Sequence, residues 1–448
     1  MKNKSFFFFY LKSLVIPIFV LFVFCSQAKY NVSDFTLGNG LRVVCIEKKT
    51  SPIIFFSIWY RCGSKNDAIS KSGVAHYLEH MAFSSNKMEF SNFLEDIGAA
   101  KNAFTSLKTI CFYEIFSNEH IESVFSHEAI RMVTLAIDDD IFLSEKNAIL
   151  EERSTRVDNE PEGALQEAAL ANIFSREIAG IGIIGWKHEI EAITKEDLYD
   201  FHNKWFAPNN AIIVISGDFD LDNIKMLAEK YFGNIPSKSI DDNLKENIAD
   251  PVSCIREIRY SSSKNGEHSS IEYVYRVPFF AKENLRKAIA LEVAVMAMNR
   301  PAFFVKKMLK DISNCATNVV FEYESRTFPY DIVCLESSAP SIDDLDNAEN
   351  LWSYLRNKLM CVGITASELD AVKQRYLISL AYEKDDIARM SNHFGWMLIG
   401  GYSVDEIQSM DDLIESISLE ECNDLLREIF SQKPCAIIRA VPKGYDRE

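Results

Sequence analysis

The sequence predicts an α+β protein of two similar halves, each a mixed β-sheet with helices packed on one face. Three observations predict it. The chain has 448 residues, too many for one ordinary core and suited to two domains of about 200 residues each. Strand-like segments flank Asn39-Gly40, and a second set follows at residues 255–260 and 270–277. Between the sets, residues 237–252 are polar and acidic and read as a linker. The expected units are residues 30–236 and 253–448.

The first 28 residues read as a targeting segment rather than as part of the fold. Lys2, Lys4 and Lys12 give a positive start, residues 14–24 an apolar run, and Ser26-Gln27-Ala28 a small-x-small cleavage site. That run is short for a membrane span. Left uncleaved, residues 6–24 would act as an anchor, with Lys12 reaching back to the interface. Export to a bacterial periplasm with cleavage after Ala28 is the expectation.

Later elements follow from local chemistry. Asn39-Gly40 between alternating strands is a strong hairpin signal. Long helices follow, broken at Asp158-Asn159-Glu160-Pro161, because proline removes a helix hydrogen bond and clashes with the preceding turn. Thr194-Lys195-Glu196-Asp197 reads as a capping box with Asp in place of Glu or Gln. In the second half, helical patterning begins from Lys282, and residues 435–441 form the last strand.

Composition narrows the function classes. Apolar residues at 48% and charged residues at 25% are those of an ordinary globular protein. A formal net charge of −17 argues against the basic footprint that nucleic-acid binding needs. No phosphate-cradling glycine loop and no G-x-S-x-G elbow occur. Ten cysteines include Cys25 in the targeting segment, leaving an odd number. Some bridges and at least one free thiol are therefore expected. The absence of C-x-x-C argues against a cysteine-based metal or redox site.

One stretch concentrates the chemistry. His76-Tyr77-Leu78-Glu79-His80 reads H-x-x-E-H, the inverted zincin signature. On a helix, His76 and His80 are i,i+4 neighbours about 5–6 Å apart. That spacing lets two imidazoles share a Zn²⁺ at about 2.0–2.1 Å each. Glu79 lies beside the pair, within reach of a metal-bound water without being a ligand. The competing reading is a polar helix with two solvated histidines. His120, His127, His188, His202, His268 and His393 stand alone and read as surface or core residues.

A catalytic zinc needs a third protein ligand and an open fourth position. Read with a helical period, Ile141, Phe142, Glu145, Ala148, Ile149 and Glu152 share one face. Glu145 and Glu152 thus fall inside an apolar stripe, where an unpaired carboxylate is costly and calls for a proton, a cation or a metal. Glu151 points away from that stripe. The asymmetry selects Glu152 as ligand, with Glu145 supporting it. The alternative is an amphipathic helix whose glutamates reach solvent at the stripe edge.

His76, His80, Glu145 and Glu152 together resemble the zinc site of the pitrilysin-like (insulinase) metallopeptidases. The likeness is to their short, two-half members related to the β subunit of mitochondrial processing peptidase, and runs through most of the chain after residue 34. Asn39-Gly40-Leu41-Arg42-Val43-Val44 resembles the opening hairpin, and Trp59-Tyr60-Arg61-Cys62-Gly63-Ser64 the strand entering the zinc helix. Gly98 and Asn102-Ala103-Phe104-Thr105-Ser106 are similar to the substrate-binding edge strand. Pro208-Asn209-Asn210-Ala211 with residues 212–217 is similar to the strand closing the first half. The resemblance implies one Zn²⁺ per chain on His76, His80 and Glu152, with Glu79 as general base and Glu145 in support. Zinc would lower the pKa of its bound water toward about 7, and Glu79 would take the proton and pass it to the leaving amine. Peptides would add as a strand along Asn102, Ala103 and Phe104.

Departures from the family pattern leave alternatives open. Lys310 and Thr317 stand where similar enzymes carry an arginine and a tyrosine that binds the developing oxyanion. Lys108 stands where relatives usually carry an acidic residue, and Ser84-Ser85-Asn86 departs from the usual run after the zinc helix. Two classes fit: a zinc endopeptidase acting on peptides or small unfolded proteins, and a non-catalytic subunit whose zinc site is a relic. Expected partners are peptide substrates and a homologous subunit supplying the missing arginine and tyrosine, with a homodimer as alternative. The acidic charge also favours cationic peptides through electrostatic steering.

Overall fold

The computed structural model describes residues 30–84, 90, 92–174, 180–240, 256–262, 269–278, 284–324 and 330–442. The targeting segment, most of the predicted linker, Ser85-Asn86, His268 and Lys282 lie outside the described residues.

Six strands form the first sheet: β1 (Asn31–Thr36), β2 (Arg42–Glu47), β3 (Ile53–Tyr60), β4 (Ala100–Thr105), β5 (Ile110–Ser117) and β6 (Ala211–Gly217). Their order is β1-β2-β6-β3-β5-β4, with β2 and β6 parallel and the other pairs antiparallel. The β1–β2 hairpin closes around Asn39-Gly40, where the Leu37 amide donates to the Leu41 carbonyl at 2.9 Å. Strand β3 reads IIFFSIWY and is buried on both faces after its first residue, as a central strand covered on both sides must be.

Among the described residues, this half has the helices α1 (Val74–Ser84), α2 (Asn92–Asp96), α3 (Ile121–Val133), α4 (Asp139–Arg153), α5 (Pro161–Ile173), α6 (Lys187–Ala192), α7 (Lys195–Trp205) and α8 (Leu221–Phe232). The break between α4 and α5 falls at the predicted Asp158–Pro161 stretch, with a π-helical turn over Ser154–Asp158. Helix α7 starts on the predicted box, in which the Asp197 carboxylate accepts from the Thr194 amide at 2.8 Å.

The second half repeats the plan. Strands β7 (Arg256–Ser262), β8 (Ser269–Pro278), β9 (Asn318–Glu324), β10 (Tyr330–Ala339) and β11 (Ala436–Pro442) are ordered β7-β11-β8-β10-β9. With β7 and β11 parallel, this matches β2-β6-β3-β5-β4; among the described residues β1 has no counterpart in the second half. The helices are α9 (Leu285–Met298), the short α10 (Phe304–Lys306), α11 (Ile342–Val362), α12 (Ala366–Asp385), α13 (Ile387–Ile399), α14 (Val404–Gln408), α15 (Met410–Ser416) and α16 (Leu419–Ser431).

Each half packs its own helices on one face of its sheet, as expected. The first core joins α1, α3, α4, α7 and α8 to the sheet; the second joins α9, α11 and α16 to its own. The opposite faces are covered as well, and by the other half. Met390, Phe394 and Leu398 of α13 pack on Val44, Trp59, Ile212 and Val214. Reciprocally, Ala169 and Leu170 of α5, with Phe174, pack on Val274, Ile332, Cys334 and Ile438. Helix α13 comes so close that a Cβ at Gly395 would fall 2.1 Å from the Trp59 ring.

The eight described cysteines are free thiols, so the bridges expected from the count are not formed among them. Six are buried, acting as small apolar groups. Among the described residues, no helix is long and apolar enough to cross a membrane.

Candidate metal centre

Helix α1 carries the H-x-x-E-H motif, and its N-terminus is held before the first turn. Asp67 accepts from the Gly73 and Ala75 amides, each at 2.8 Å. Gly73 has φ +90°, and a Cβ there would meet the Ile184 carbonyl at 2.4 Å, so only glycine fits this approach. Val74, Ala75, Tyr77, Leu78, Met81 and Ala82 fill the core. The same rotation turns His76, Glu79 and His80 into the cleft. Tyr77 stacks on Phe142 of α4 at 5.1 Å and its hydroxyl donates to the Phe142 carbonyl. That contact sets α4 against α1.

Helix α4 then delivers Glu152. Its Oε2 lies 3.6 Å from Nε2 of His76 and 3.6 Å from Nε2 of His80. These three donor atoms lie within 4.8 Å of one another, the only such group of potential metal ligands among the described residues. Donors about 2.0–2.2 Å from a tetrahedral Zn²⁺ are about 3.3–3.6 Å apart; both glutamate–imidazole pairs, at 3.6 Å, meet this, and the two imidazoles close on the ion from within 4.8 Å. Glu145 Oε2 stands 3.1 Å from Nδ1 of His80. Glu151 is exposed, as its place off the stripe predicts.

Charge within the cluster follows from these contacts. Burial and the nearby His80 push His76 down to about 4. Burial also works against charge on His80, but bonds from Glu145 and Glu152 prevail and hold it up at about 9. Burial raises Glu79 above the usual carboxylate range, opposed by the Thr105 hydroxyl, which donates to its Oε2 at 2.8 Å. Its bond to His80 keeps Glu152 low. A raised glutamate beside two imidazoles suits proton transfer.

A cavity of about 1460 Å³ opens over the cluster. Strand β4 forms one side with Asn102, Ala103 and Phe104, so the structure brings all three predicted substrate residues to the site. The far wall comes from the second half and includes Glu292, Tyr323 and Trp396. Neither Lys310 nor Thr317 lines it; the Thr317 hydroxyl donates to the Ser338 carbonyl at 3.1 Å. Lys108 does line the cavity. Of the lone histidines, His202 is buried with Nε2 3.2 Å from the Arg131 carbonyl, and His127 stacks on Phe90 and Phe93, as expected of surface or core residues.

Sequence reasoning missed Arg156. It follows Glu152 by one turn and pairs with that carboxylate's other oxygen at 2.9 Å. Its i,i+4 spacing to Glu152 was a usable signal. Glu292, Tyr323 and Trp396 carried no signal local to the motif.

Two interlocked α+β halves with a His–His–Glu group in their cleft define a two-domain fold of peptidase type. Residues 42–185 match the family model for insulinase (peptidase family M16), and residues 192–376 match that for the peptidase M16 inactive domain. The chain belongs to this M16 peptidase family. It is 30% identical over 280 residues to the zinc protease PqqE of Helicobacter pylori, covering 59% of each chain. It is 26% identical over 205 residues to the β subunit of mitochondrial-processing peptidase of Lentinula edodes, covering 45% of this chain and 44% of that one. The chain thus spans 59% of the first relative's length and less than half of the second's. The crystal structure of a protease from Helicobacter pylori superposes with a TM-score of 0.80 at 22% identity, covering 92% of this chain and all of that one. The periplasmic protease PqqL of Escherichia coli superposes at 0.76 and 16% identity, over 92% of this chain and 47% of that one.

Proposed function

We propose that the chain is a zinc-dependent endopeptidase acting on peptides or small unfolded proteins, with His76, His80 and Glu152 holding one Zn²⁺ and Glu79 as general base. The convergence of both imidazole Nε2 atoms on Glu152 Oε2, with Glu79 on the same helix face, is the observation that carries this reading. Zinc, when bound, supplies the Lewis acid that polarises the scissile carbonyl and activates water. Glu79 accepts the attacking water's proton and returns it to the departing amine. Thr105 ties Glu79 to β4, so base and peptide share one frame. Asn102, Ala103 and Phe104 bind the peptide backbone as an added strand. Glu145 orients His80.

Residues 30–236 are the zinc-binding half and 253–448 the second half of this peptidase unit, with residues 1–28 serving export to the periplasm. Lys310 and Thr317 do not line the cleft, which supports a homologous partner subunit that contributes an arginine and a tyrosine; a homodimer is the alternative assembly.

Cleavage of a diverse peptide library by wild type and Glu79→Gln, with zinc content measured on both, tests the reading. Glu79→Gln should retain the metal and lose about 10²–10⁴-fold in turnover, because an amide cannot accept the proton. Equal turnover by both proteins would remove Glu79 from the mechanism. A zinc-loaded wild type that cuts nothing, alone or co-expressed with homologous partner subunits, would favour the non-catalytic subunit.

A further inference from the structure

We propose that Trp396 of the second half, stacked on Phe104 of the edge strand, forms a specificity subsite for one large apolar side chain of a peptide bound along β4. The inference rests on the peptidase reading for the peptide; the subsite itself follows from geometry.

Strand β4 is the terminal strand of its sheet, so among the described residues one side of its backbone has no neighbouring strand. The Ala103 amide donates instead to the Asn102 side chain at 2.9 Å, a contact an incoming carbonyl can replace. Side chains alternate across the strand. Lys101 lies over Phe83 at 5.4 Å and Thr105 binds Glu79, both on the α1 side. Phe104 projects to the opposite side, between Trp59 and Trp396. A strand added to β4 obeys the same alternation. The residue opposite Phe104 therefore points toward α13, while its two neighbours point toward Glu79 and the metal group.

What that residue meets is an open aromatic surface. The Trp396 ring stacks on Phe104 at 5.3 Å and 23°, and meets Trp59 edge-on at 5.4 Å. Trp59 is fully buried, its indole N–H donating to the Ser57 hydroxyl at 2.9 Å, so the base of the cluster is fixed. Trp396 remains 45% exposed. It faces the cavity beside Met397 and Tyr402. A phenylalanine, leucine or methionine side chain of the substrate would cover this surface; glycine or an acidic residue would leave it wet. Because α13 belongs to the second half, the subsite exists only when both halves are docked.

Paired peptides differing at one position near the cut, Leu or Phe against Gly, test the proposal with wild type, Trp396→Ala and Trp396→Phe. Wild type should prefer the apolar peptide by about 10–100-fold in kcat/KM. Trp396→Ala should collapse that ratio toward one while cutting the Gly peptide within about twofold of wild type. Trp396→Phe, which keeps a ring on Phe104, should restore most of the preference and guards against a folding defect in the alanine variant. An unchanged ratio in Trp396→Ala, or no preference in wild type, would overturn the subsite. If wild type cuts no peptide, alone or with a homologous partner subunit, the peptidase reading falls. The same labelled peptides, compared by fluorescence anisotropy on Glu79→Gln with and without the Trp396 changes, then still decide the subsite.

Discussion

His80 meets two carboxylates at once, Glu145 beside Nδ1 and Glu152 facing Nε2. A carboxylate on Nδ1 fixes the proton there and leaves the Nε2 lone pair for a metal. Glu145→Ala is therefore expected to fold normally and bind zinc about 10–100-fold more weakly. Competition against a chelator of known affinity measures this, and unchanged affinity would make Glu145 a bystander. At this scale the sequence located His76, His80 and Glu152 because helical periodicity converts spacing along the chain into distance. Residues of the far wall were beyond that logic. Trp396 and Tyr323 reach the cleft only through the packing of one half on the other, and no local pattern ties them to His76. The expected positions Lys310 and Thr317 came from resemblance, and in this structure neither lines the cavity.

Helix α1 depends on a cap outside it. Asp67 is buried, and burial lifts its carboxyl to about 7, against the two amides of Gly73 and Ala75 that favour its charge. Its folded-state value thus exceeds the unfolded value, about 3.9. Between these limits the folded state holds a proton that the unfolded state has released. The contribution to stability is full below about pH 4 and is lost as pH rises through 7. Asp67→Asn removes that titration. Chemical denaturation of metal-free protein across this range should show the stability of wild type minus variant falling from pH 4 to 7 and levelling above. A flat difference would dissociate Asp67 from the effect. Elements with local signatures were legible in the sequence, including the Asn39-Gly40 hairpin, the Thr194 box and the break before Pro161. The packing partners of α5 and α13 were not, because an apolar helix face does not name the sheet it will cover.

The exchange of α5 and α13 makes the halves mutually dependent. Without the second half, Val44, Ile46, Trp59, Ile212 and Val214 lose α13 and face water. Exposing such side chains costs about 1.5–3 kcal/mol each when fully uncovered. Together that rivals the net stability of a whole domain, about 5–15 kcal/mol. The second sheet suffers likewise when α5 leaves Val274, Ile332 and Ile438. Residues 30–240 produced alone should therefore aggregate or unfold, although they contain the complete His76–His80–Glu152 group. Co-expressed as a separate chain with residues 253–448, they should co-purify and regain zinc binding, since the contacts between halves need no covalent link. Size-exclusion chromatography, thermal unfolding and zinc content of both preparations decide the matter. A soluble, monomeric first half that unfolds cooperatively at the temperature of the intact protein would show that each sheet tolerates an open face, and that α13 serves the cleft rather than the core.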